Sequence, residues 1–183
     1  MEAIWILNLT GEKRYQAYFQ ELKDNYLTAT QKKIDNLRYD EVIIPDSDPT
    51  PLSEKLSKFV ESKVKPLKKH WEYINVLTTT DRLRIFIIGD VDEKNSREWY
   101  HLLPALIRKY QLELEIFPVQ SVDITGILSF NNDAHQSFAD EKVLFLSQLN
   151  WLMKNEKQNL VPYDEIFFFQ KPVTSGENHF ERI

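Results

Sequence analysis

Aspartates come in close pairs at two places in this sequence. Asp46 and Asp48 follow an apolar run that ends at Ile44, and Asp90 and Asp92 follow the most apolar run of the chain, Arg84 to Ile88. Clustered carboxylates repel one another, and a hard cation such as Mg²⁺ relieves that repulsion. Asp46, Asp90 and Asp92 are therefore the candidate metal ligands, and with Mg²⁺ they would serve a hydrolase or phosphotransferase. Aspartate also has a plainer use, because ahead of a helix it accepts hydrogen bonds from free N–H groups and suits the positive end of the dipole. Other polar residues stand in equivalent places. Asn8, Thr10 and Gly11 follow the first apolar run, Ser121 and Asp123 a later one, and Lys171, Thr174, Ser175 and Gly176 the last. Asn8, Thr10, Asp46, Asp90, Asp92 and Lys171 form the candidate ligand-binding set.

These residues matter together only if the elements before them bring them to one place. Apolar spacing alternates along the chain between strand-like and helix-like periods. Strands are expected at Ala3 to Leu9, Glu41 to Ile44, Arg84 to Ile88, Leu112 to Phe117 and Ile166 to Phe169. Ile74 to Leu77 forms either a hairpin arm or a lead-in to the third of these. Val122 to Phe130 is apolar but interrupted by Gly126. Helical stripes run through Tyr15 to Tyr26, Leu52 to Leu67, Trp99 to Tyr110 and Phe138 to Met153. Thr50 and Pro51 mark the start of the second, Pro66 its end, and Pro104 bends the third.

Such alternation predicts a three-layer α/β sandwich of the Rossmann-like and flavodoxin-like kind. A mostly parallel sheet of about five strands, in the order 2-1-3-4-5, would carry helices on both faces. Residues 1–173 form one domain and 174–183 a polar tail. In such sheets ligands bind beyond the carboxyl ends of the strands, where the candidate residues all lie. Asp90 is expected there, within the largest polar depression. Asp92, Asn95 and Ser96 would cap the next helix and leave its carboxylate free.

Lys171-Pro172, after an aromatic strand, resembles the Lys-Pro that closes the phosphorylation site of response-regulator receiver domains. Asp90 sits where such a domain carries its phosphorylated aspartate. The resemblance implies a phosphoryl-accepting site at Asp90 beside Lys171. The family also needs an acidic pair directly after the first strand, where this chain has Asn8-Leu9-Thr10, and the chain is longer than a receiver.

Other signatures of catalysis are missing. The chain has no cysteine, which removes thiol nucleophiles and thiolate metal sites. It lacks a glycine-rich phosphate loop, a Gly-x-Ser-x-Gly elbow and a His-Glu-x-x-His pair. His70, His101, His135 and His179 are scattered. The net charge of −5 gives no basic face for nucleic acid, and Lys63, Lys65, Lys68 and Lys69 read as a solvated helix face. No apolar run is long enough to span a bilayer, and the first residues do not read as a signal peptide, so the chain is expected in the cytoplasm. Trp5, Trp71, Trp99 and Trp151 could mark a binding surface, but Trp99 and Trp151 lie on or beside apolar helix faces, and most of the aromatic content is expected in the core. A non-enzymatic protein-interaction module with a protein partner, possessing no cofactor and avoiding nucleic acid and membrane, is the leading reading. The Mg²⁺-dependent enzyme and a small-ligand sensor domain are the alternatives.

Overall fold

A computed structural model describes residues 2–11, 15–21, 24, 37–42, 50–66, 82–114, 121–131, 140–154 and 161–171. Five strands form one all-parallel sheet in the order β2-β1-β3-β4-β5. They are β1 (Glu2–Asn8), β2 (Leu37–Glu41), β3 (Arg82–Asp90), β4 (Ser121–Phe130) and β5 (Glu165–Gln170). Three helices lie between them: α1 (Leu52–Phe59), α2 (Lys94–Leu114) and α3 (Asp140–Lys154). Residues 15–21 are also helical. No helix among the described residues is long and apolar enough to cross a membrane.

The expected strand order is the one found, but two strands lie elsewhere. The second is Leu37–Glu41 rather than Glu41 to Ile44. The fourth is Ser121–Phe130, and Leu112 to Leu114 belong to α2. Gly126 does not interrupt β4. It makes room for Tyr100 of α2, whose hydroxyl would overlap any Cβ at that position. Gly89 of β3 serves the same ring, because a Cβ there would lie 2.5 Å from Tyr100 Cδ2. The two glycines form a notch on one face of the sheet, and the aromatic ring fills it. Ile74 to Leu77 lies outside the described residues.

The sheet has one dry face. Ala3, Trp5 and Leu7 of β1, Leu83, Ile85 and Ile87 of β3, and Val122, Ile124 and Leu128 of β4 are all buried on it. Alternation along a strand places these residues on one side. Trp5 stacks on Phe59 at the end of α1, and Phe59 in turn meets Trp99 of α2. Leu103 and Ile107 continue the α2 face into the core. The unbroken apolar run from Ile85 to Ile88 suits a strand buried on both faces, but Phe86 and Ile88, on the opposite side, are only half-buried. Residues 15–21 contribute to that side through Phe19, which stacks on Tyr39 of β2 at 4.9 Å.

Two prolines shape the helices. α1 passes into a π-helical turn, Val60–Val64, just ahead of Pro66, where the ring and the missing N–H disturb regular α-helical bonding. Its N-cap is Pro51, one residue after the Thr50 expected to cap it. In α2, Pro104 cannot donate to the carbonyl of Tyr100 four residues earlier. That carbonyl instead accepts the hydroxyl of Tyr163, which is fully buried ahead of β5 and stacked on the Tyr100 ring. A side chain from a distant segment thus restores the bond that proline removes.

Candidate functional site

The carboxyl ends of β1, β3, β4 and β5 bring Asn8, Thr10, Asp90, Asp92 and Lys171 to one edge of the sheet. Asp90 is the last residue of β3 and is fully buried. One of its carboxylate oxygens accepts the backbone N–H of Asp92 at 2.9 Å, and the other is paired with the ammonium of Lys171. Lys171 follows the edge strand β5, so its side chain reaches past β4 to meet β3. This is the contact that the receiver resemblance implies. The Ser96 hydroxyl does not cap α2; it accepts the Asp90 backbone N–H at 2.7 Å.

Asp92 is held as firmly. It pairs with Lys142 of α3 and accepts the backbone N–H of Asn131 at 2.8 Å. Burial opposes its ionisation, but Lys142, the Asn131 N–H and the charge of Lys171 outweigh burial and hold its carboxyl below the ordinary range. After β1, the Asn8 side-chain oxygen accepts both the N–H and the hydroxyl of Thr10, at 3.0 and 2.9 Å. The Asn8 amide donates to the Tyr39 hydroxyl at 3.0 Å. Burial, against the Asn8 bond and with the help of Glu41, pushes the Tyr39 phenol up to about 12. The loop after β1 is tied to the turn after β3, because Gly11 N–H donates to Glu93.

This geometry does not suit Mg²⁺. Both oxygens of Asp90 and both of Asp92 are already engaged, and Asn8, Thr10 and Gly11 at the end of β1 carry no charge. Among the described residues there is no group of three or more His, Asp or Glu side chains positioned for a metal ion. Asp46 and Asp48 lie outside the described residues, as do Thr174, Ser175 and Gly176 of the expected tail, and His70, His135 and His179. Asp90 does not line either of the two described depressions. The larger, about 430 Å³, runs between α2 and α3 past Arg97, His101, Glu141 and Phe145. His101 stacks on Phe145 there, and burial lowers its pKa. The smaller, about 240 Å³, is wholly apolar and is bounded by Val91, Phe130, Leu146 and Phe168.

Sequence reasoning missed the partners of the site and one surface. Lys142 and Ser96 have no motif of their own and become legible only once α2 and α3 are placed. The surface is β5 itself. Phe167, Phe168 and Phe169 are 50, 54 and 56 % exposed, and Trp151 on α3 is 61 % exposed. They are exceptions to the expectation that most of the aromatic content is core.

No family model matches the chain, and neither a curated protein nor a solved structure shows significant similarity to it.

Proposed function

We propose that the protein is a non-enzymatic interaction module that binds a protein partner through the aromatic edge of its sheet. The observation that carries this reading is the run of three half-exposed phenylalanines on β5. Monomeric proteins rarely leave contiguous large apolar side chains in water, and such patches mark interaction sites. The strand-end carboxylates support the same reading from the other side, since their oxygens hold loops and helices together. Cytoplasmic location and independence from nucleic acid and cofactors belong to this proposal.

The test is site-specific photo-crosslinking in cells that produce the protein. A photoreactive phenylalanine analogue at position 168 is expected to give one discrete crosslinked protein species. The same analogue at position 58, on the exposed side of α1, is expected to give none. Equal crosslinking from both positions, or none from 168, overturns the reading.

A second reading is favoured by the Asp90–Lys171 contact: phosphoryl acceptance at Asp90. It predicts a phosphate mass increment after incubation with acetyl phosphate and Mg²⁺, and calorimetric Mg²⁺ or Mn²⁺ binding below millimolar concentration. We expect neither.

A further inference from the structure

The exposure of β5 has a direction. Successive residues of a strand point to opposite faces of the sheet. A missing layer on one face would bare Phe168 alone, or Phe167 with Phe169. All three are exposed to a similar extent, so the openness of β5 is not confined to one face of the sheet. Among the described strands β5 is bonded only to β4, and an edge strand presents its remaining N–H and C=O groups to any strand that can lie beside it.

We propose that β5 pairs antiparallel with β5 of a second copy of this chain, joining the two sheets across a two-fold axis at Phe168. The proposal rests on the interaction reading above and names its partner. In an antiparallel pair the residues directly opposite share a face, so a two-fold axis normal to the sheet requires one residue to face its own copy. With Phe168 at the axis, Phe167 faces the second copy's Phe169, Ile166 faces Gln170 and Glu165 faces Lys171. Every phenylalanine then meets a phenylalanine, and aromatic pairs are favourable cross-strand combinations. Moving the axis to Phe167 places Phe169 opposite Glu165, and moving it to Phe169 places Phe167 opposite Lys171. The strand is therefore complementary to itself in one register, which is why the occupant is a second copy.

The chain has no cysteine, so a single introduced one reports on self-contact. Sedimentation velocity across micromolar concentrations is expected to show a dimer for the unmodified chain and loss of the dimer for Phe168→Lys. Under mild oxidation Phe168→Cys is expected to form a disulfide-linked dimer faster than Gln170→Cys, whose neighbour across the pair is Ile166. That measurement stands even if Phe168→Lys fails to fold. A monomer at every concentration, a Phe168→Lys dimer, or faster linkage at position 170 overturns the proposal. A monomeric chain that still crosslinks a different protein from position 168 overturns the second copy alone and leaves the interaction reading in place. A dimer without crosslinks from 168 overturns both the register and that reading.

Discussion

The two edges of the sheet are built in opposite ways. On β2 the sequence is Leu-Arg-Tyr-Asp-Glu, and its charges are put to use. Asp40 is buried and accepts bonds from Arg38 at 2.7 Å, Trp5 Nε1 at 2.9 Å and Lys63 of the π-helical turn at 2.9 Å. On β5 the sequence is Glu-Ile-Phe-Phe-Phe-Gln, and the aromatic rings stand half in water. Proteins ordinarily blunt an edge with short strands and charge, because an apolar edge recruits other strands. β2 follows that practice and β5 does not. Each edge is nevertheless pinned by one buried aspartate and one lysine. At β2 the aspartate is on the edge strand and the lysine comes from a helix. At β5 the lysine follows the edge strand and the aspartate is in the middle of the sheet. The difference teaches that β5 is anchored at its carboxyl end while its aromatic side chains stay exposed.

The contrast presupposes a sheet whose middle is apolar. Ile87→Asp puts an unpaired charge on the dry face and is expected to cost more than about 4 kcal/mol, or to prevent folding, as read by urea denaturation. Wild-type stability would show that β3 is not the buried centre. The pin at β5 comes next. Lys171→Met leaves Asp90 buried without its cation and is expected to cost roughly 3 kcal/mol, most of it recovered in the double variant with Asp90→Leu. If the single and double variants are equally unstable, the pair is not what ties β5 to β3.

The pin at β2 is expected to be weaker, since Arg38 and Lys63 are partly in solvent. Asp40→Asn should cost about 2 kcal/mol at neutral pH. Burial opposes ionisation of Asp40, but Arg38, Lys63 and the Trp5 N–H prevail and lower its pKa in the folded state. A lowered folded pKa gives stability that is present above the unfolded value, about 3.9 for Asp, and is lost as pH falls through the folded value. The unmodified chain should therefore lose stability in that acid window more steeply than Asp40→Asn. Parallel pH profiles would sink the assignment. Smallest of all, Phe168→Lys should change the unfolding free energy of the dilute protein by no more than about 0.5 kcal/mol. A larger loss would mean that the ring belongs to the fold of the single chain.

The strand order was legible because strand and helix periods alternate and right-handed crossovers leave few arrangements. Asp90 and Lys171 were legible as strand-end residues for the same reason. The fate of their charges was not, because it depends on side chains that meet across 81 residues of sequence. β2 was misplaced because an edge strand with one buried residue lacks the apolar pattern that marks a central one. β4 was missed because glycine reads as an interruption until Tyr100 is seen to occupy its place. The phenylalanines of β5 read as core, since an unbroken apolar run is what a buried parallel strand shows. Periodicity says that a segment is a strand; it does not say whether it has a neighbour on each side.

The bond from Tyr163 to the carbonyl that Pro104 leaves unserved has a consequence for how this sequence can change. Two positions on separate elements solve one problem, so their substitutions are coupled. A loss of the Tyr163 hydroxyl, as in Tyr163→Phe, strands a carbonyl inside the protein only while proline remains at 104. With alanine at 104 the helix can make its own bond, and the hydroxyl loses its acceptor. The order of substitution therefore matters: a lineage that first exchanges the proline is free to explore position 163 as an ordinary aromatic site, whereas one that first alters the tyrosine must pass through a weakened intermediate.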